Sequence, residues 1–408
     1  MSAYLTDMAS LLLRWLHVIA AIAWVGESIY FVMLDNSLKK PASQADRDKG
    51  VGGEMWAVHG GGFYHNQKYL TSPEKLPDDL HWSFWKSYTT WLSGFALLSV
   101  MYLSNPQLNL IDPSAPWRWA ARMSNGEAIF VTLLFLFGGW WVYNLLCKLI
   151  SPNMTRDGIL SVAVAVMMVI VSYLATHIFS GKAAFLIIGA VMATCMSANV
   201  FFWIIPGQRR MVAALRSGQT PNALDGKRGK QRSVHNTYFT LPVVFLMLSN
   251  HYAVTYGSDW SWVVAVLFIF AGASIRQFFV VMHQGKKQYG YWAFGIACLL
   301  LIVWICAPKT EPEPPSAPAG QEQAQAEAVP IERIMEISQL RCVGCHAAKP
   351  DPKLGFAAPP LGMKLETPEE IRMAADKFKQ RVANNTMPLG NLTQMTDEER
   401  ADVAAWKP

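Results

Sequence analysis

Charge is scarce in this chain. Of 408 residues only 16% are Asp, Glu, Lys or Arg, against 52% that are hydrophobic. The charges gather in a few segments and leave long apolar runs between them. A net charge of +6 distributed in this way does not describe a nucleic-acid-binding surface. Cysteine is scarce too, with six residues in all. Cys147, Cys195, Cys298 and Cys306 fall in apolar stretches, where they read as small inert hydrophobes rather than disulfides or ligands. No cleavable signal peptide is evident. The first apolar run starts near residue 9, carries Arg14 and continues to about residue 34. That is too long for a signal h-region, and no small-residue cleavage site follows. No internal repeat stands out.

What is present are apolar runs long enough to cross a hydrocarbon layer of roughly 30 Å. Eight are expected as membrane helices, near 9–34, 86–104, 127–149, 158–179, 183–206, 237–257, 260–282 and 288–307. Tryptophans such as Trp82, Trp85, Trp117, Trp119, Trp203, Trp260 and Trp262 mark their ends. The connecting segments differ sharply in charge. Lys39, Lys40, Arg47, Lys49, Lys68, Lys75, Arg156, Arg209, Arg210, Arg216, Lys227, Arg228, Lys230, Arg232, Lys286 and Lys287 all fall on one side of the bundle. Only Arg118, Arg122 and Lys182 fall on the other. The positive-inside rule places the first set in the cytoplasm and both termini outside. A multi-pass protein of a bacterial inner membrane is expected, with lipid as its surroundings.

Beyond the last run, residues 308–330 are rich in Pro, Ala, Glu and Gln and read as a linker. Residues 331–408 read as a small helical unit. Ile331, Ile334, Ile337 and Leu340 have helix spacing, and Thr396 with Glu399 resembles a capping box opening a final helix that ends near Trp406. Between them stands Cys342-Val343-Gly344-Cys345-His346. The C-x-x-C-H run is the attachment signature of a c-type haem. Two thiols bind the haem covalently and the histidine ligates its iron. Met387 is the preferred second ligand, with Met363 and Met395 as competitors and Met373 inside a helix-like stretch. A Met/His pair closes the iron to substrate and makes an electron carrier. The Pro359-Pro360-Leu361-Gly362 loop is expected to supply the carbonyl that orients His346. One haem c is therefore expected. The runner-up is a zinc or redox C-x-x-C site.

Ionisable residues inside spans are costly and point to function. His17, His177 and His251 lie toward the outer side, where two of them on facing helices would hold a b-type haem; the plain alternative is three hydrogen-bonded interfacial histidines. Glu27 and Arg276 lie toward the inner side, either as a structural pair or as parts of a polar pocket for an anion. His235 and Asn236 open the sixth span. The long segment between the first two spans contains Trp56-Ala57-Val58-His59-Gly60-Gly61-Gly62-Phe63-Tyr64-His65. Its glycines allow unusual backbone and its aromatics argue against disorder, so it reads as a lid over the cytoplasmic mouth. His59 and His65 are poorly spaced for a metal.

Three stretches carry a family resemblance: Gly53 to His65, Tyr88-Thr89-Thr90-Trp91-Leu92-Ser93-Gly94, and Arg232 through Leu241-Pro242 to Tyr252. With the eight spans and the C-x-x-C-H run, the chain resembles the bacterial integral-membrane urate oxidases fused to a cytochrome c. The resemblance implies an all-α fold: a membrane bundle over 1–307, the linker 308–330 and a class I-like cytochrome c domain over 331–408. It implies oxidation of urate to 5-hydroxyisourate, with electrons passed to the cytochrome and on to a downstream cytochrome c or terminal oxidase. The expected catalytic residues are Glu27, His235 and Arg276, with Asn236, His59 and His65 around the substrate. Two other functions fit the residues alone: a quinol-oxidising electron-transfer subunit, and a transporter or assembly factor with a regulatory cytochrome.

Overall fold

The computed structural model is mostly helical and describes residues 2–69, 73, 75–307, 329–351, 354, 359–383 and 386–408. Most of the expected linker 308–330 lies outside the described residues. Helices occupy all eight places where apolar runs were noted. α1 spans Ser2–Ser37 and α2 spans Trp85–Leu98, continuing as a π-turn over Ser99–Leu103. α3 covers Asn125–Ile150, α4 Asp157–Ile178 and α5 Gly181–Arg216. α6 is Ala223–Leu248, α7 Ser261–His283 and α8 Tyr289–Ile305. Five of these are long and apolar enough to cross a membrane: α1 from Asp7, α3, α4, α5 and α7. α8 is apolar but shorter. The first half of α6 is charged, and the helix stops at Leu248, short of the expected 257.

Local sequence explains the boundaries. Ser124 opens α3 with a capping box: its Oγ accepts from Glu127 N at 3.3 Å, and its own N–H donates to Glu127 Oε2 at 2.8 Å. α5 lies at the centre, with Ala183, Ala184, Phe185, Ile187, Ile188, Val191, Met192 and Cys195 fully buried. Glycines let neighbours close on it. A Cβ on Gly139 would stand 2.7 Å from Val191 Cγ1, and one on Gly189 would stand 3.0 Å from Leu246 Cβ. Small residues at helix contacts are how membrane bundles pack without a hydrophobic drive between helices. The outward faces are apolar instead of charged: Leu11, Ile22, Phe130, Val162, Leu300, Val303 and Trp304 are all exposed. That inversion suits a lipid surrounding.

The segment after α1 departs from the all-α expectation. Val51–His59 (β1) and Gly62–Tyr69 (β2) pair antiparallel, from Val51 opposite Tyr69 to His59 opposite Gly62. Gly60 (φ +57°) and Gly61 (φ +80°) form the two-residue turn. Positive φ at both central positions is what the tight hairpin turn demands. Trp56, Val58, Phe63 and Tyr64 are exposed, Phe63 by 80%. The base of the hairpin is held to α1 through paired backbone bonds between Lys39 and Glu54 and through the 2.7 Å Lys68–Asp35 ion pair.

A separate core forms near the C-terminus. α9 (Ile331–Arg341), α10 (Val343–His346), α11 (Pro368–Met373), α12 (Ala375–Ala383) and α13 (Asp397–Ala405) surround Ile334, Ile337, Leu365, Ile371, Phe378, Val382, Met395, Val403 and Trp406. Leu340, expected on the same face, is exposed. The capping box at α13 is present: Thr396 Oγ1 accepts from Glu399 N at 3.2 Å and Thr396 N donates to Glu399 Oε2 at 2.8 Å. Thr367 and Glu370 cap α11 in the same way. The turn Leu389–Asn391 touches the short helix Pro106–Asn109 in the α2–α3 connection.

Candidate functional site

Arg276 is the most unusual residue in the bundle. It lies on α7, is 5% exposed, and its Nε and Nη2 are buried without a hydrogen-bond partner. Those two nitrogens form one edge of the guanidinium, the edge that grips planar anions with two parallel bonds. The expected pairing with Glu27 does not occur. Glu27 instead accepts from Lys86 Nζ at 2.8 Å and from the Ser83 hydroxyl, both on or beside α2. A cation in apolar surroundings with a whole edge unpaired is expensive, and no other residue described here repays it.

His235 and Asn236 sit on α6, in a network that sequence alone did not reveal. The Tyr143 hydroxyl and His235 Nδ1 lie 2.8 Å apart. Asn199 Nδ2 donates to Tyr143 Oη and to Asn236 Oδ1, each at 2.9 Å, while Asn236 Nδ2 donates to the Met196 carbonyl at 3.0 Å. Buried Arg232 donates to Asn199 Oδ1 at 3.3 Å and to Asn144 Oδ1 at 3.0 Å. Its guanidinium stands 5.1 Å from the Tyr143 ring and 5.0 Å from the Trp203 ring. Trp203 donates to Asn144 Oδ1 at 3.0 Å, so it belongs to this network and not to an interfacial belt. Here the positive charge is solvated by amides and π-faces. Asn236 has both ends of its amide engaged. Val200–Ile204 is a π-turn directly after Asn199, a local distortion often found at functional sites.

The remaining candidates are dispersed. His65 Nε2 lies 2.7 Å from Glu54 Oε2, and its ring stacks on Trp56 at 4.2 Å. His59 is exposed at the hairpin tip. Neither is gathered with Arg276 or His235. Hydrogen bonds from the Ala42 N–H, and then from His65, hold the Glu54 carboxyl below its ordinary range. His17 Nδ1 lies 3.0 Å from the Thr90 carbonyl and 3.1 Å from Ser93 Oγ on α2. A Cβ on Gly94 would stand 2.9 Å from His17 Cε1, so the glycine makes room for the ring. His177 lies 2.7 Å from the Tyr173 carbonyl and packs on Tyr173 and Trp117. His251 is exposed in the turn after α6. His17 and His177 thus each have partners of their own. Among the described residues, no group of three or more His, Cys, Asp or Glu is placed to hold a metal ion.

At the C-terminal core the donor chemistry fits a c-type haem. Cys342 and Cys345 are free thiols. Burial pushes the Cys342 thiol up to about 12 and raises that of Cys345. His346 Nδ1 lies 2.9 Å from the Met363 carbonyl, leaving Nε2 for iron. The acceptor is one residue beyond the expected 359–362 loop. Of the methionines, Met395 is buried in the core, Met373 is 82% exposed and Met363 is half-buried. Met387 is half-buried, with its carbonyl accepting from Arg400 at 3.0 Å.

A helical bundle with apolar outward faces and five helices able to cross a bilayer defines a multi-pass membrane protein. The chain belongs to the urate oxidase N-terminal family, whose model matches residues 3–307. Membership implies an oxidoreductase and suggests urate oxidation. No curated protein and no solved structure matches the chain.

Proposed function

We propose that this protein oxidises urate to 5-hydroxyisourate in an eight-span membrane domain and delivers the electrons to a cytochrome c domain over residues 331–408. The observation that carries it is the unpartnered edge of Arg276, within a chain of the urate oxidase N-terminal family. Urate is an anion at neutral pH, and its ring carbonyls and nitrogens match two parallel N–H donors. The balance is urate plus water giving 5-hydroxyisourate, two protons and two electrons. Arg276 binds and orients the anion. His235, with one ring nitrogen engaged by Tyr143, offers the other to take a proton as water adds at C5. Glu27, held by Lys86, is the second candidate base.

A haem c on Cys342, Cys345 and His346 would supply one-electron acceptance when bound. Met387 completes its ligands in this proposal. The charge rule places both termini and the α2–α3 connection on one outer side of a bacterial inner membrane. The contact between Leu389–Asn391 and Pro106–Asn109 fits that arrangement, since it needs both segments on the same side. A b-type haem on His17, with His177 or His251 as partner, is the other cofactor proposed.

The test is an anaerobic absorption spectrum of the purified protein before and after urate. Growth of the reduced c-haem α-band is the expected outcome. An intact protein whose haem stays ferric with urate but is reduced by quinol overturns the proposal and favours the respiratory alternative. The band positions also count b and c haems.

A further inference from the structure

Helices α6 and α7 are joined by a short connection and run antiparallel. Their register is set where they touch. Phe245 stacks on Phe268, and a Cβ on Gly272 would stand 2.7 Å from Pro242 Cδ and 3.0 Å from Pro242 N. Four residues farther along each helix, the same register brings Tyr238 level with Arg276. On the other flank, α8 closes on α7: a Cβ on Gly295 would stand 2.7 Å from Ile275 Cγ1, and Ser274 Oγ donates to the Tyr291 carbonyl at 2.7 Å.

Three polar features occur near this level. Arg276 presents the bare Nε–Nη2 edge. The Tyr238 hydroxyl donates to Gln277 Oε1, so the amide is held by its oxygen and its NH2 is left to donate. Pro242 has no N–H, so the Tyr238 carbonyl loses the helical donor four residues on. Two cationic donors, one neutral donor and one freed acceptor therefore lie within about one turn of one another along the α6–α7 contact. Such a set is complementary to a flat ring in which carbonyls and N–H groups alternate and which carries a negative charge.

We propose that Gln277, positioned by Tyr238, is the specificity-determining residue of the Arg276 site and reads one carbonyl oxygen of an oxygenated purine anion. The inference rests on the urate reading above. Arg276 supplies the affinity for charge, and Gln277 supplies the choice among purines. A polar side chain built to meet a particular oxygen rejects the analogue that lacks it. Tyr238 acts through Gln277, by fixing which end of the amide faces the ligand.

The experiment measures equilibrium binding and steady-state turnover with the full-length holoprotein. The ligands are urate and three analogues that each lack one of its oxygens: xanthine, 2,8-dihydroxypurine and 6,8-dihydroxypurine. In Gln277→Leu, urate binding weakens about tenfold, in line with the loss of one hydrogen bond in a desolvated site. Two analogues weaken equally, and the third, lacking the oxygen that Gln277 reads, is unchanged. Tyr238→Phe shifts the same ligands in the same order by a smaller factor, raising KM while kcat stays within about twofold. A Gln277→Leu protein that still oxidises urate and treats all four ligands as the wild type does, or weakens them uniformly, overturns the proposal while leaving the urate reading intact. A wild-type protein that binds no urate overturns both.

Discussion

Arg276 and Arg232 are both buried cations with no carboxylate partner among the described salt bridges, yet their surroundings predict opposite responses to mutation. Arg232 is surrounded by Asn144, Asn199, Tyr143 and Trp203. Replacing it with Met strips the buried Asn199 Oδ1 of its donor and leaves Asn144 Oδ1 with Trp203 alone. Arg232→Met should lower stability by about 2–4 kcal/mol, read as a fall in thermal midpoint in detergent. Arg276 has an edge that contacts nothing. Arg276→Met should hold or raise the thermal midpoint, because an unpaired buried charge is replaced by a side chain of similar volume. Its kcat/KM for urate should fall roughly a hundredfold, the loss of two charge-assisted bonds at about 3 kcal/mol together. A destabilised Arg276→Met protein would show the residue to be structural. Sequence singled out Arg276, because a lone arginine in an apolar run is conspicuous. Its lack of a partner was not legible, since that depends on Glu27 turning to Lys86 instead. The Arg232 network was equally hidden. Its members come from α3, α5 and α6, and no local spacing links Tyr143 to His235.

At the level of elements, the hairpin shows what pattern could and could not supply. Trp56, Val58, Phe63 and His65 share one face, and two glycines separate the strands. That is a hairpin signature, but it was outweighed by the density of aromatics, which in most chains signals burial. The turn should be selective. Gly60→Asn is expected to be tolerated, because Asn accepts positive φ. Gly61→Val should loosen the tip by about 1–2 kcal/mol, seen as faster amide exchange across Val58 and Phe63. The base is pH-dependent. The Glu54 carboxyl is held below its ordinary range by Ala42 N–H and His65, so its contribution is fully present above the unfolded value of about 4.3. It is lost as pH falls through the depressed folded value. Hairpin amides, corrected for intrinsic exchange, should therefore lose protection on the acid side of that window. Glu54→Gln should remove this dependence and leave the hairpin equally loose at neutral pH.

Across the whole molecule, the positions of the helices were legible because hydropathy alone sets them, and the separate C-terminal core was announced by the charge and proline content of the stretch before it. The way the two halves meet was not. That contact, Leu389–Asn391 on Pro106–Asn109, lies between segments far apart in the chain and has no shared pattern. It lies just past Met387, the proposed iron ligand, so it would bring that side of the haem pocket toward the membrane domain. Leu389→Asp should weaken the contact without touching the ring of residues around Arg276. Covalent connection keeps the two halves at an effective concentration in the millimolar range, so docking should be impaired and not abolished. The expected result is urate-driven haem reduction slowed roughly fivefold in stopped-flow mixing, with urate affinity and haem content unchanged. Reduction at the wild-type rate would mean that electrons enter the C-terminal core by another face. Complete loss would mean that the turn also supports the haem ligand itself, which a shifted Met–iron charge-transfer band would reveal.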